Sequence, residues 1–135
     1  NRAAHKSTRY YIDEMHLLLK EEQTAAYTVE IWKRFRKWGG IPTGITQNVQ
    51  DCLTNDTAYA MLANSEFVVM LRQTKDIDSV VELYGLSEPQ RKYLLLAQPG
   101  EGIIKMGNSL IPFNNPQPKD TKTYKLLTTK PGEME

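Results

Sequence analysis

The chain is poor in the residues that staple or anchor a protein. One of its 135 residues is cysteine, Cys52, so no internal disulfide framework is available, and that usage fits a reducing compartment. Its two histidines, His5 and His16, have no partners at ligand spacing, so a metal site built from protein ligands alone is not expected. No apolar run approaches the ~18–20 residues that span a bilayer. The polar, basic start from Asn1 to Arg9 has no apolar segment behind it and does not read as a signal peptide. Excess charge is also lacking. Lys plus Arg number 17 against 16 Asp plus Glu, a net charge of +1, so no bulk field draws the chain to nucleic acid or to an anionic membrane, although a local basic patch remains open.

What is present is ordinary for a globular protein. Apolar residues make up 40% and charged residues 24%, with 8 Gly and 7 Pro, which excludes wholesale disorder and collagen-like or low-complexity scaffolds. The length suits one domain or part of a larger one.

Tyr10-Tyr11-Ile12 is a short β-favouring run that reads as a buried strand, with Asp13-Glu14 at its carboxyl edge. Residues 22–38 read as a helix. Ala25, Val29, Trp32 and Arg36 form one line at i+3/i+4 spacing, and Tyr27, Ile31 and Phe35 form another. Gly39-Gly40 ends it and Pro42 forbids continuation. Ile41–Thr46 is a second strand ending in Gln47-Asn48, and residues 49–63 form a helix weakened by Asn55-Asp56. Phe67–Leu71 is continuously apolar and is expected to be covered on both faces, as in a parallel sheet. A short helix over 76–84 closes at Gly85, and Ser87-Glu88-Pro89 starts another that runs to about Ala97. Ile103–Met106 and Ser109–Phe113 predict a hairpin across Gly107-Asn108. The alternation predicts an α/β fold with a parallel sheet and a C-terminal β-hairpin, residues 1–113 forming the body and the Pro- and Lys-rich residues 114–135 a loosely held tail.

Arg9-Tyr10-Tyr11-Ile12-Asp13-Glu14 is the most informative stretch. An apolar strand ending in Asp-Glu is the Walker B pattern: the first carboxylate holds a magnesium shell at the strand tip, and the second polarises the water that attacks a γ-phosphate. An Asp-Glu pair after a strand is more often simply a solvated turn. Thr46-Gln47 ends the next strand, where a side-chain amide could orient water or sense phosphate, or serve as an ordinary turn residue. Arg34-Phe35-Arg36-Lys37 closes the first helix. Complementing the helix dipole is explanation enough for Arg34 and Lys37, but Arg36 shares the apolar line with Trp32. Arg72 directly follows the third strand and reads either as a phosphate-directed group or as a strand-end charge. Cys52 has no activating neighbour and reads as packed at a helix face. Asn55-Asp56-Thr57 matches a glycosylation triplet, against which the cysteine usage argues.

Taken together, Arg9–Leu19, Ile31–Ile41 and Gly44-Ile45-Thr46-Gln47 resemble the VirB-type ATPases of type IV secretion and conjugation, within the FtsK–HerA branch of RecA-like motors. The match looks closest to the conjugation ATPases of Gram-positive mobile elements and covers roughly residues 8–130. The resemblance implies a partial RecA-like three-layer sheet. It implies Asp13 as the Walker B magnesium-shell residue, Glu14 as the catalytic glutamate, Arg36-Lys37 as the motif ending the following helix, and Gln47 as the polar sensor. Arg72 falls where the resemblance would place a phosphate-directed arginine, and Arg36 or Arg72 would reach a neighbour's nucleotide in a ring.

The departure from the family is the P-loop. Gly-x-x-x-x-Gly-Lys-Ser/Thr occurs nowhere in the chain, and neither Gly39-Gly40 nor Gly100-x-Gly102 is followed by Lys-Ser/Thr. In the family that motif lies upstream of the Walker B strand. The chain, which does not begin with Met, is therefore read as the C-terminal half of a larger ATPase, inactive alone, whose parent would use ATP and Mg²⁺. The resemblance further implies a cytoplasmic location, peripheral to the bacterial inner membrane through partners, ring assembly, contacts with other secretion-channel proteins, and nucleic acid only in the parent. The alternatives are a fragment of a DNA-translocating coupling ATPase and a non-enzymatic docking module. In the RecA-like arrangement the P-loop strand separates Ile41–Thr46 from Phe67–Leu71. Without it these strands should either pair with each other or self-associate through their edges, the latter being preferred.

Overall fold

A computed structural model of the chain describes residues 7–47, 49–54 and 56–129. His5, Asn48 and Asn55 of the candidate glycosylation triplet lie outside the described residues. The chain divides into two compact units, one formed by Asn1–Ser65 with Asp78–Gly85 and the other by Glu66–Ile77 with Leu86–Glu135.

In the first unit, β1 (Thr8–Ile12) is followed by a 3-10 turn (Met15–Leu19), α1 (Glu22–Phe35), a second 3-10 turn (Arg36–Trp38) and β2 (Gly40–Gly44). Two short helices follow, α2 (Val49–Leu53) and α3 (Asp56–Ala63), where the sequence predicts one helix over 49–63. Most of α4 (Ile77–Tyr84) completes the unit. β1 and β2 run parallel, from Thr8 opposite Gly40 to Ile12 opposite Gly44. The core joins Met15 and Leu19 of the first 3-10 turn, Ala25 and Val29 of α1, Cys52 of α2, and Ala58 and Met61 of α3, with Ile12, Trp32 and Leu62 packed around them. The line Ala25–Val29–Trp32 is thus the packed face of α1, as its spacing predicts, whereas Tyr27 on the second line is 65% exposed.

β1 forms where expected but is not buried. Tyr10 and Tyr11 are half-exposed, and the Tyr10 ring stacks on Phe35 with centroids 5.6 Å apart. A two-stranded sheet has little surface of its own to bury and is marginal alone. Here the carboxyl ends of the strands supply the anchorage. Ile12 packs on the core, and the space a Cβ would need at Gly44 is taken by the Met15 thioether and the Trp32 ring.

In the second unit, β3 (Phe67–Met70) is followed by α5 (Glu88–Leu96), β4 (Glu101–Met106), β5 (Ser109–Asn114) and α6 (Lys122–Leu127). The three strands form an antiparallel sheet in the order β3-β4-β5. At the start of α5 the Ser87 backbone N–H donates to Gln90 Oε1 at 2.8 Å, a reciprocal cap at the predicted helix start. Gly107 opens the two-residue β4–β5 turn at φ 56°, a left-handed value that glycine reaches without a Cβ clash. One face of the sheet carries Met70 and Ile103, both buried, and α5 contributes the fully buried Leu94. The opposite face presents Phe67, Val69, Met106 and Ile111, all about half-exposed or more.

The α/β class and the C-terminal hairpin are as predicted. The expectation that Phe67–Leu71 joins a parallel sheet covered on both faces is corrected. The hairpin supplies its partner, the pairing is antiparallel, and only one face is packed. Direct pairing of Ile41–Thr46 with Phe67–Leu71 is not formed among the described residues: β2 is bonded to β1, and β3 to β4. Within the segment read as a tail, α6 is capped by Thr121, whose Oγ1 accepts the Tyr124 N–H at 3.2 Å. Among the described residues no helix is long and apolar enough to cross a membrane.

Candidate functional site at the carboxyl edge of the parallel strands

The parallel ladder continues past the last paired residues of β1 and β2. Ile45 N–H donates to Ile12 C=O at 2.8 Å, and Met15 N–H donates to Ile45 C=O at 2.9 Å. These two bonds hold the backbone on either side of Asp13-Glu14. Between them the chain reverses: Glu14 adopts φ 49°, ψ 41°, a left-handed conformation rare for a residue with a Cβ. Its backbone N–H donates to Asp13 Oδ1 at 2.9 Å, and its C=O accepts from Leu17 N–H at 2.9 Å. The burial of Met15 and Leu19 in the core fixes the 3-10 turn that follows.

This reversal places the Glu14 side chain against the end of the neighbouring strand. Gln47 Nε2 donates to Glu14 Oε1 at 2.9 Å. The other carboxylate oxygen, Oε2, lies 3.3 Å from His16 Nδ1. The same nitrogen lies 3.3 Å from Thr46 Oγ1. Glu14 remains 39% exposed, so water reaches the carboxylate, while the His16 side chain is 14% exposed. Each carboxylate oxygen offers two acceptor directions. Both oxygens of Glu14 can therefore take a protein partner and still accept from water.

Of the predicted site residues, Asp13, Glu14 and Gln47 come together at this edge. Lys37 and the backbone of Arg36 lie in the turn preceding β2, next to the Thr8–Gly40 end of the ladder. That is the opposite end of the strands, roughly 13 Å away for four residues of strand at ~3.3 Å each. The Arg36 side chain lies outside the described residues. Arg72 follows β3 in the second unit and is exposed. His16, which has no partner at ligand spacing in the sequence, also joins this edge. Its position two residues after Glu14 becomes meaningful only once the 3-10 turn brings it back beside the carboxylate. Cys52 is fully buried at the α2 helix face, as expected. Burial, and secondarily that cysteine, push the Tyr84 hydroxyl up to about 12.

Magnesium is a hard cation that takes one or two carboxylates and completes its shell with phosphate oxygens and water. Asp13, exposed at the strand tip, fits such a role. No cluster of three or more His, Cys, Asp or Glu side chains among the described residues would hold a metal unaided.

No protein-family model matches the chain, and no curated protein sequence matches it. Among solved structures it is similar to VirB4 of Thermoanaerobacter pseudethanolicus, with a TM-score of 0.76 and 28% identity over 99% of this chain. The match spans 34% of that protein, so the chain corresponds to about a third of its length. The resemblance read from the acidic strand end, the helix terminus and Thr46-Gln47 is thus borne out by the fold: over nearly its whole length the chain has the structure of a segment of a VirB4-type protein.

Proposed function

We propose that this segment supplies the Walker B half of the ATP-hydrolysing site of a larger motor, which energises type IV secretion or conjugative DNA transfer. The observation that carries the reading is the Gln47–Glu14 hydrogen bond across the carboxyl ends of two parallel strands. Ligand sites in parallel α/β sheets lie at that edge. A solved structure to which the chain is similar is a VirB4.

In this reading Asp13 holds the magnesium shell, and Glu14 accepts a hydrogen bond from the water that attacks the γ-phosphate. Gln47 keeps the Glu14 carboxylate in place as it does so. Magnesium, when bound, neutralises charge on the phosphate oxygens. The phosphate cradle and its lysine would come from a P-loop elsewhere in the parent protein. Arg36 or Arg72 would reach a neighbouring subunit's nucleotide in a ring. Partners would bring the motor to the cytoplasmic side of the inner membrane.

Two measurements test the reading. The isolated chain with Mg²⁺-ATP should release no phosphate above its Glu14→Gln variant. In the complete ATPase, Glu14→Gln should preserve ATP binding and lower turnover by at least ~10²-fold, the scale for a lost water-orienting group. Equal loss of binding and turnover would make Glu14 structural.

The same proposal has the isolated chain self-associate through the open β3 edge, whose outward side chains Phe67 and Val69 are apolar and exposed. Light scattering at micromolar concentration should show species larger than a monomer, reduced by Val69→Lys. A monomer throughout would remove that part of the proposal.

A further inference from the structure

His16 is the group at this edge to which the proposed reaction gives no task. A carboxylate can only accept hydrogen bonds. The approach of His16 Nδ1 to Glu14 Oε2 at 3.3 Å is therefore attractive only when Nδ1 carries a proton. Thr46 Oγ1, also 3.3 Å from Nδ1, can then accept a share of that proton. With the proton on Nε2 instead, the Nδ1 lone pair would face the carboxylate, and the Thr46 hydroxyl would become the donor to Nδ1. One tautomer grips Glu14 and the other grips Thr46.

We infer that His16 is a positioning residue that holds the second carboxylate oxygen of Glu14 through Nδ1–H. The inference rests on the reading of Glu14 as the water-orienting group. The physical need is rotational. A carboxylate held only at Oε1 by Gln47 can still pivot about that bond, and holding Oε2 as well fixes the plane of the group. The low exposure of His16 lets its ring act as a fixed post, because Met15 and Leu19 bury the turn that carries it. Thr46 Oγ1 shares the same Nδ1–H, so the segment after β2 acts on Glu14 twice, directly through Gln47 and indirectly through Thr46 and His16. Catalytic geometry is sensitive at this scale, a misplacement of ~1 Å being enough for about a 10²-fold loss.

The test has two arms. Side-chain ¹⁵N NMR of this chain, with the His16 signals identified by their loss in His16→Asn, should show the neutral ring as the Nδ1–H tautomer and a changed pattern in Glu14→Gln. An Nε2–H tautomer overturns the inference. In the complete ATPase, asparagine places its amide near the position of Nδ1, whereas glutamine reaches that of Nε2. His16→Asn should keep kcat within about threefold of the parent, while His16→Gln lowers it about tenfold with KM unchanged, a fraction of the loss expected for full misplacement. Equal kcat in both variants, or equal loss in both, overturns the positioning role. If Glu14→Gln leaves turnover intact, the functional reading fails while the tautomer result stands. If Glu14→Gln abolishes turnover and the His16 pair is flat, only the inference about His16 fails.

Discussion

Gln47 Nε2 donates to Glu14 Oε1 across 2.9 Å, joining two side chains 33 residues apart in the sequence. The bond is exposed, so it contributes little to stability, on the order of 0.5–1 kcal/mol. On the proposed reading its value lies in orientation. Gln47→Ala in the complete protein should then lower kcat for ATP hydrolysis about tenfold, with KM for ATP nearly unchanged. Gln47→Glu should lower it further, because two carboxylates would then face each other. Thermal melts of the isolated chain should show only a small shift for Gln47→Ala. A large shift would assign the residue to folding instead.

Glu14 sits at φ 49° with a Cβ, a conformation that disfavours L-residues by roughly 1–2 kcal/mol. Glu14→Gly and Glu14→Ala both remove the carboxylate, but only glycine relieves the backbone. The glycine variant should therefore be the more stable of the two by about 1 kcal/mol in denaturant titration. On the proposed reading, neither should support ATP turnover in the complete protein. Equal stability of the two would mean that the chain relaxes out of the left-handed region in solution.

Much of the first unit was legible in the sequence. Ala25, Val29 and Trp32, three of the four residues on the predicted line, declared the buried face of α1, and Gly39-Gly40 marked the end of the helical stretch, whose last turn, Arg36–Trp38, is 3-10 rather than α. The site was legible as two strand ends, because an Asp-Glu pair and a Thr-Gln pair each followed an apolar run. Three things were not legible. The antiparallel pairing of β3 depends on which strand arrives beside it, and Phe67–Leu71 is apolar at every position, so its pattern does not distinguish one covered face from two. The exposure of Tyr10 and Tyr11 follows from the small size of the β1–β2 sheet, which a local run cannot announce. The place of His16 depends on a 3-10 turn closed by the burial of Met15 and Leu19, a tertiary event.

Gly44 offers a test of packing beneath the site. A Cβ there would meet Met15 Sδ and Cε and approach the Trp32 ring at 3.4 Å. Met15 is buried, so its thioether has little room to retreat. Gly44→Ala should destabilise the chain by about 1–3 kcal/mol, the usual scale of overpacking. In a Met15→Ala background the same substitution should be much better tolerated, and a chemical-denaturation cycle of the four proteins would display the non-additivity. Strict additivity would show that the methionine moves aside freely.

Tyr84 predicts an alkaline limit. Its hydroxyl is raised from 10.0 to about 12, first by burial and then by Cys52. The folded state thus keeps a proton that the unfolded chain releases near pH 10. The stabilisation this confers is fully present below pH 10 and is lost as the pH climbs from about 10 to 12. Tyr84→Phe should flatten the fall of stability across that window. Cys52→Ala should lower the titration midpoint, read by absorbance at alkaline pH, less than increased solvent access would, because burial is the larger cause. A Tyr84→Phe profile superimposable on the parent's would show that the hydroxyl is exposed in solution.

The two ladder bonds that flank Glu14, Ile45 N–H to Ile12 C=O and Met15 N–H to Ile45 C=O, have a consequence for measurement. Amide protons in such bonds exchange with deuterated solvent only when the strand ends separate locally. The exchange rates of the Ile45 and Met15 amides therefore clock the opening of the carboxylate's platform, with no nucleotide and no turnover required. A substitution that alters chemistry alone would leave both clocks unchanged, whereas one that loosens the platform would speed the two together.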